Sequence, residues 1–189
     1  RNTVTDLGQV SEFGSYKWVA GPDGNIYATS RKGRLFRINT DTRQIEETGY
    51  TFPYSSIPSS KTRNQLNGAS VGPDGKLYMQ IVWGDCLFRM DCSSGNIENL
   101  GSYLPEGLDW PYNHWMCGLY FDSSNVLWYG IFFFNVQGES AGCRLCSWDI
   151  VNGGSPKDHG FIGSELRAVY TLSEVKGFKD VLYICDGNH

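Results

Sequence analysis

Residues 21–27 read GPDGNIY and residues 72–78 read GPDGKLY. Each phrase is followed by a near-copy of a second one, LFRINTDTRQIEETG from Leu35 and LFRMDCSSGNIENLG from Leu87. The step is 51 residues from Gly21 to Gly72 and 52 from Leu35 to Leu87. A period of this length, made of short strands and turns, marks one structural unit copied around an axis.

Within the first copy, Gly21-Pro22-Asp23-Gly24 has the residues of a tight turn. Proline pre-sets φ, aspartate suits the third position, and glycine accepts a positive φ at the fourth. The flanking runs are short and β-rich. Tyr16 to Ala20 is aromatic and β-branched, Asn25 to Ser30 alternates with period two, and Arg34 to Asn39 follows a second turn. Gln44 to Thr48 makes a polar fourth strand closed by Gly49. Four antiparallel strands in about 50 residues are one blade of a β-propeller.

The reading extends along the chain. It predicts an outer strand at 3–8 and blades at 16–49, 68–101 and 115–160, with a partial blade at 167–189. Blade three carries the turn Asp122-Ser123-Ser124-Asn125 and the run VLWYGIFFFNV from Val126. The fold class is therefore an all-β propeller with about 3.5–4 four-stranded antiparallel blades. Closing a four-bladed ring on the N-terminal strand would leave one strand missing. Part of a larger propeller is the expected state, and the absence of Met before Arg1 agrees with processing or truncation. A complete four-bladed ring remains the alternative.

Composition narrows the function. A hydrophobic content of 40% is ordinary for a globular domain, and a net charge of −4 without a basic cluster argues against nucleic acid. No apolar stretch of about 18 residues is present, so no membrane span is expected. Six cysteines suggest an oxidising, secreted setting with at least one disulfide. Cys86 and Cys92 would lie about 20 Å apart along one strand, and Cys143 and Cys146 should face opposite ways. Any bond must join different strands or blades. Buried thiols are the plainer reading. A lone CxxC at Cys143–Cys146 is a weak zinc signal, and no cofactor is expected, with a divalent cation left open.

In a propeller, connections sort to two faces. Here the short turns fall on one face, and the long segments 50–67 and 102–115 fall on the other, with 135–142 and the C-terminal DGNH. Long loops on a rigid scaffold are where function concentrates. They hold Tyr50, Phe52, Tyr54, Tyr103, Trp110, Tyr112 and Trp115, whose flat faces suit a sugar. Lys61, Arg63, Asn113, His114, Asn188 and His189 add charge and hydrogen-bonding groups. Arginine can hold a carboxylate with two bonds, and histidine or tyrosine can move a proton. The plainer alternatives stay open: loop aromatics that pack over blade tops, and strand-end histidines that are hydrogen-bonded structure. Tyr27, Tyr78, Phe36, Phe88, Trp128 and Trp148 recur at equivalent positions and should pack blade against blade.

The phrases GPDGKLY and LFRMDCSSGNIENLG resemble the blades of propeller-fold polysaccharide lyases of the ulvan and oligogalacturonate lyase type. The GPDG turn also looks like streptogramin lyase. The lyase resemblance implies β-elimination at a uronic acid, with the carboxylate neutralised and a histidine or tyrosine removing the C5 proton. The residue types matching that chemistry are Arg63, Tyr112, His114 and His189 as catalytic groups. Trp110, Asn113, Trp115, Tyr54, Lys61 and Asn188 are the accompanying substrate contacts. The implied partner is an acidic polysaccharide or another glycan. A non-catalytic binding or structural propeller is the rival reading, with protein partners or further blades of the same ring. A metal-dependent lactonase lacks its carboxylate-rich centre.

Overall fold

The chain is described here by a computed structural model covering residues 4, 6–7, 17–53, 65–82, 84–108, 113–134, 140–162, 169–174 and 182–186. Fourteen strands are present among these residues, and no helix. The first sheet is β1 (Trp18–Ala20), β2 (Ile26–Thr29), β3 (Arg34–Ile38) and β4 (Ile45–Thr51). The second is β5 (Leu66–Val71), β6 (Leu77–Ile81), β7 (Cys86–Met90) and β8 (Ile97–Ser102). The third is β9 (Asn113–Phe121), β10 (Leu127–Phe134), β11 (Ser140–Trp148) and β12 (Pro156–Phe161). Each is a four-stranded antiparallel meander in chain order, and β13 (Val169–Glu174) pairs with β14 (Leu182–Asp186) in a fourth sheet. The first strands neighbour one another: β1 touches β5, β5 touches β9, and β9 touches β13. Sheets that meet at their first strands and stack face to face are the blades of a β-propeller.

Burial follows from that stacking. β6 is buried at every position because a blade covers each of its faces, whereas the outer strand β12 alternates half-buried and exposed residues. One apolar layer fills each gap between blades. Tyr27, Leu35, Phe52 and Met79 sit between blades one and two. Tyr78, Leu87, Tyr103 and Tyr129 sit between two and three. Cys117, Cys143 and Leu172, with Trp128 packed alongside, sit against the fourth sheet. Each fully buried large side chain contributes about 1.5–3 kcal/mol.

The repeated turn explains why the phrase recurs. Asp23 accepts the Asn25 N–H at 3.2 Å, and its other oxygen accepts the Tyr27 hydroxyl at 2.8 Å. Asp74 does the same for the Lys76 N–H and the Tyr78 hydroxyl, both at 3.2 Å. Each aromatic ring folds back over the first glycine of its own turn, where a Cβ would stand 2.6 Å (Gly21) or 2.3 Å (Gly72) from the ring. Blade three keeps the device with a displaced carboxylate. Asn125 (φ 66) takes the place of Gly24 and Gly75 (φ 80 and 71), so Asp122 stands where Gly21 and Gly72 do. From there it accepts the Val126 N–H at 2.9 Å and the Trp128 Nε1–H at 2.7 Å.

Three sequence expectations are corrected. Gly49, Gly101 and Gly160 do not close their strands: each lies inside one, at φ 80, 90 and 93, where the pairing shifts by a bulge. β9 begins at Asn113 and β11 at Ser140, so both are longer than their apolar cores suggested. Disulfides are absent among the described cysteines, since Cys86, Cys92, Cys117, Cys143 and Cys146 are all thiols. Cys86 and Cys92 stand at opposite ends of β7, Cys117 and Cys143 are separated by β10, and Cys143 and Cys146 enter different layers. Of the expected outer strand at 3–8, residues 4, 6 and 7 are described and belong to none of the strands, and residues 3, 5 and 8 lie outside the described residues.

Candidate functional site

Antiparallel order brings to one face the strand ends that lead into 52–65, 103–112, 135–139 and 162–168, together with the shorter β2–β3 and β6–β7 ends. The turns at 21–25, 39–44, 72–76, 91–96, 122–126 and 149–155 lie on the other. Among the described residues, the buried polar side chains are Thr29, Ser30, Gln65, Gln80, His114 and Ser147. All but Ser147 sit at strand ends on the face of the long connections, Gln65 and His114 beside those connections and Thr29, Ser30 and Gln80 at the shorter β2–β3 and β6–β7 ends. A propeller layer needs only apolar contact, so polar groups gathered at one end are a departure that calls for a function.

Hydrogen bonds at this end either tie adjacent blades together or brace a single blade. The Thr29 hydroxyl accepts the Leu66 N–H at 2.5 Å, joining blade one to the innermost strand of blade two. Asn67 Nδ2 donates to the Met116 carbonyl at 2.7 Å, joining the innermost strands of blades two and three. Gln80 donates to the Ile81 carbonyl, and its Oε1 has no hydrogen-bond partner among the described residues. Tyr103 donates to the Gly84 carbonyl at 2.8 Å, and Tyr129 donates to the Tyr103 carbonyl at 2.7 Å.

His114 sits within this layer. It is the second residue of β9, opposite Phe133, and is only 7% exposed. Its ring meets Tyr103 edge-on at 6.0 Å and Phe133 at 6.2 Å. Burial holds the Tyr103 phenol well above its ordinary pKa, with the Asp85 charge adding to it, and burial does the same for Tyr129. Both phenols are therefore donors, not bases. No group of three or more metal-ligating side chains occurs among the described residues.

The sequence-predicted site residues are placed unevenly. His114 belongs to the loop end of an innermost strand, inside β9 and not in a loop. Asn113 and Trp115 flank it in β9, opposite Phe134 and Phe132, with only their backbone described. Tyr54, Lys61, Arg63, Trp110, Tyr112, Asn188 and His189 lie outside the described residues. Phe52 and Tyr103, expected as exposed aromatic platforms, are instead completely buried. Their N–H groups bond to the Gly33 and Asp85 carbonyls at 2.9 and 3.1 Å, which prolongs strand pairing and drives each ring into a layer.

One cation escaped the sequence reading. Lys17 directly precedes β1, half-buried at the long-connection end of the innermost strand. Burial lowers its pKa, against a smaller raising effect of Cys117. The available signal was a lone lysine inside the apolar run YKWVA.

No protein-family model matches the chain, and no curated protein matches it. Solved structures similar to it include a catalytically inactive virginiamycin B lyase from Staphylococcus aureus with quinupristin. That match has 16% identity and a TM-score of 0.45, covering 82% of this chain and 58% of the lyase. An auxiliary nutrient binding protein from Bacteroides thetaiotaomicron matches at 14% identity and a TM-score of 0.48, covering 89% of this chain and 42% of that one. The extracellular domain of a one-component system from B. thetaiotaomicron matches at 15% identity and a TM-score of 0.49, covering 82% of this chain and 18% of that one. The chain thus spans less than two thirds of each. At this distance the likenesses bear on neither architecture nor activity, and the propeller rests on the sheets themselves. Among the described residues, no helix is long and apolar enough to cross a membrane.

Proposed function

We propose that the chain is a secreted, ligand-binding stretch of a larger β-propeller, whose long-connection face receives a glycan, most naturally an acidic polysaccharide. The observation that carries this is the buried polar layer at that face, where Thr29, Gln65, Gln80 and His114 stand at strand ends. Lys17 beside it supplies positive charge for a uronate. Lys61, Arg63 and Trp110 on the connections, with Trp115 in β9 and Asn188 after β14, would add cations and flat apolar surface. Further blades of the same ring, or protein partners, would cover the open sheet edges.

Catalysis by β-elimination is the second reading. It is favoured by His114 standing at the loop end of an innermost strand. In it Tyr112 or His189 removes the C5 proton and Arg63 neutralises the uronate carboxylate. The packing of His114 against Tyr103 and Phe133 favours a supporting part for this residue over that of the base.

Incubating the full chain with uronic-acid polymers tests both readings. Retention on immobilised polymer without ultraviolet absorbance from an unsaturated product supports binding alone. Product formation that is lost in Tyr112→Phe or His189→Ala supports the lyase. Neither retention nor product from pectate, alginate or ulvan overturns the glycan reading.

A further inference from the structure

On the outer rim, blades one and two part to form a cavity of about 300 Å³. Its floor is Tyr27, Leu35, Met90 and Cys92, all buried. One wall is β4, through Glu46, Thr48 and Tyr50, and the other is the β7–β8 turn with Ser93 and Ser94.

The chain contains its own control for this cavity. The same crevice recurs between blades two and three, where it is filled. Leu100 stands where Thr48 does, Trp148 where Met90 does and not, as the sequence suggested, where Phe36 and Phe88 do, and Ile150 where Cys92 does. Leu100, Trp148 and Ile150 all join the apolar layer of that gap. Val151 likewise replaces Ser93. The bulge in blade one is also one residue longer. Thr48, Gly49 and Tyr50 lie between the paired residues Glu47 and Thr51, whereas only Leu100 and Gly101 lie between Asn99 and Ser102. The added residue is Tyr50, whose ring is propped edge-on against Phe52 at 5.0 Å. Both walls and the floor therefore depart from the repeat, and every exchange but the inserted tyrosine removes bulk or adds polarity. A packing fault would be confined to one side.

The lining chemistry selects a neutral ligand. Arg37 is paired with Glu46 at 2.5 Å and Arg34 with Glu47 at 3.3 Å, so the wall offers no uncompensated charge. Arg37 engages only Oε2 of Glu46 in these bonds, which leaves Oε1 as an acceptor on the wall. Burial pushes the Tyr50 phenol up, so it stays a donor. Hydroxyl groups of a ligand would meet Glu46, Ser93 and Ser94, while its apolar face would rest on Tyr27, Met90 and Tyr50. The volume lies at the small end of the range of about 300–1,000 Å³ usual for ligand pockets.

We propose that this rim cavity binds a neutral saccharide of one or two rings, at a site separate from the long-connection face. The inference stands without the loop-face reading.

The test follows the methyl resonance of Met90 while the full chain is titrated with glucose, galactose, mannose, maltose and cellobiose. Met79 and Met116, buried in the layers, serve as internal references. A saturable movement of Met90 alone with at least one sugar is expected. Refilling the crevice as between blades two and three, with Thr48→Leu and Ser93→Val, should weaken binding about tenfold or more. If that variant does not fold, Glu46→Gln takes its place, with about tenfold weaker binding expected and, because the Arg37–Glu46 pair is exposed, a melting temperature lower by no more than about 2–4 °C. No saturable Met90 shift with any of the five sugars overturns the proposal. So does a shift that persists undiminished in the refilled variant, or in Glu46→Gln where that substitution stands in.

Discussion

Replacing Gly72 by alanine adds one methyl group to the chain and should be felt far beyond its size. A Cβ at Gly72 would stand 2.3 Å from Cε2 of Tyr78 and 2.9 Å from Oδ1 of Asp74. The ring cannot retreat. Tyr78 is fully buried, its hydroxyl donates to Asp74 at 3.2 Å, and its far side meets Phe121 edge-on at 4.8 Å. Gly72 is not among the glycines with positive φ, so the penalty is steric alone. Overpacking of this kind costs about 1–3 kcal/mol. For a chain of this length each 1 kcal/mol lowers the melting temperature by about 2–4 °C, so the fall should be about 2–12 °C. The assay is thermal unfolding of the wild type, Gly72→Ala, Tyr78→Leu and the double variant. Leucine has no ring to lie over position 72, so the alanine should then cost clearly less, only the contact with Asp74 Oδ1 at 2.9 Å being left to relieve. If Gly72→Ala melts with the wild type, or costs as much in the Tyr78→Leu background, the account of the repeated turn is wrong.

Three further outcomes follow from the same geometry. Asp122→Ala removes the acceptor of the Trp128 indole and the Val126 N–H, and should cost about 1–3 kcal/mol with a change in tryptophan fluorescence. Burial raises the Asp158 pKa, but the Arg144 guanidinium and the Gly160 N–H outweigh it and hold the carboxyl below its ordinary 3.8. A carboxyl lowered by folding stabilises above its unfolded pKa, and that contribution is lost as pH falls through the folded value. Melting temperature should therefore drop as pH falls below 3.8, and less steeply in Arg144→Gln, as calorimetry across that range would show. Lys17→Met should weaken binding of trigalacturonate by titration calorimetry. Because burial lowers the Lys17 pKa, wild-type binding should fade with rising pH before the ordinary lysine value of 10.5 is reached.

The blade scaffold was legible because its signals are local. The GPDG turn, the period-two strands and the recurring Tyr27 and Tyr78 need only near neighbours in sequence, and the structure returns all of them. The carboxylate of blade three was harder, because Asp122 serves the same aromatic position from two places earlier in the turn. Gly49, Gly101 and Gly160 were read as strand ends, since a positive φ is equally at home in a bulge and a stop. The site was less legible still. Thr29, Gln65 and Gln80 lie far apart in the chain and acquire meaning only when the strands bring their ends to one face. Phe52 and Tyr103 look like surface aromatics by sequence, and only their strand-like hydrogen bonds reveal them as core. The rim cavity is written as four exchanges and one insertion, visible once the copies are aligned through the bulge.

The central claim is that one face of the blades, with a buried polar layer beneath it, is where a glycan lands. Hydrogen–deuterium exchange of the full chain with and without trigalacturonate tests it most directly. Slowed exchange in 52–65 and 103–114, with 21–25, 72–76 and 91–96 unchanged, is the predicted result. Protection of those short turns, or of neither face at saturating trigalacturonate, would contradict it.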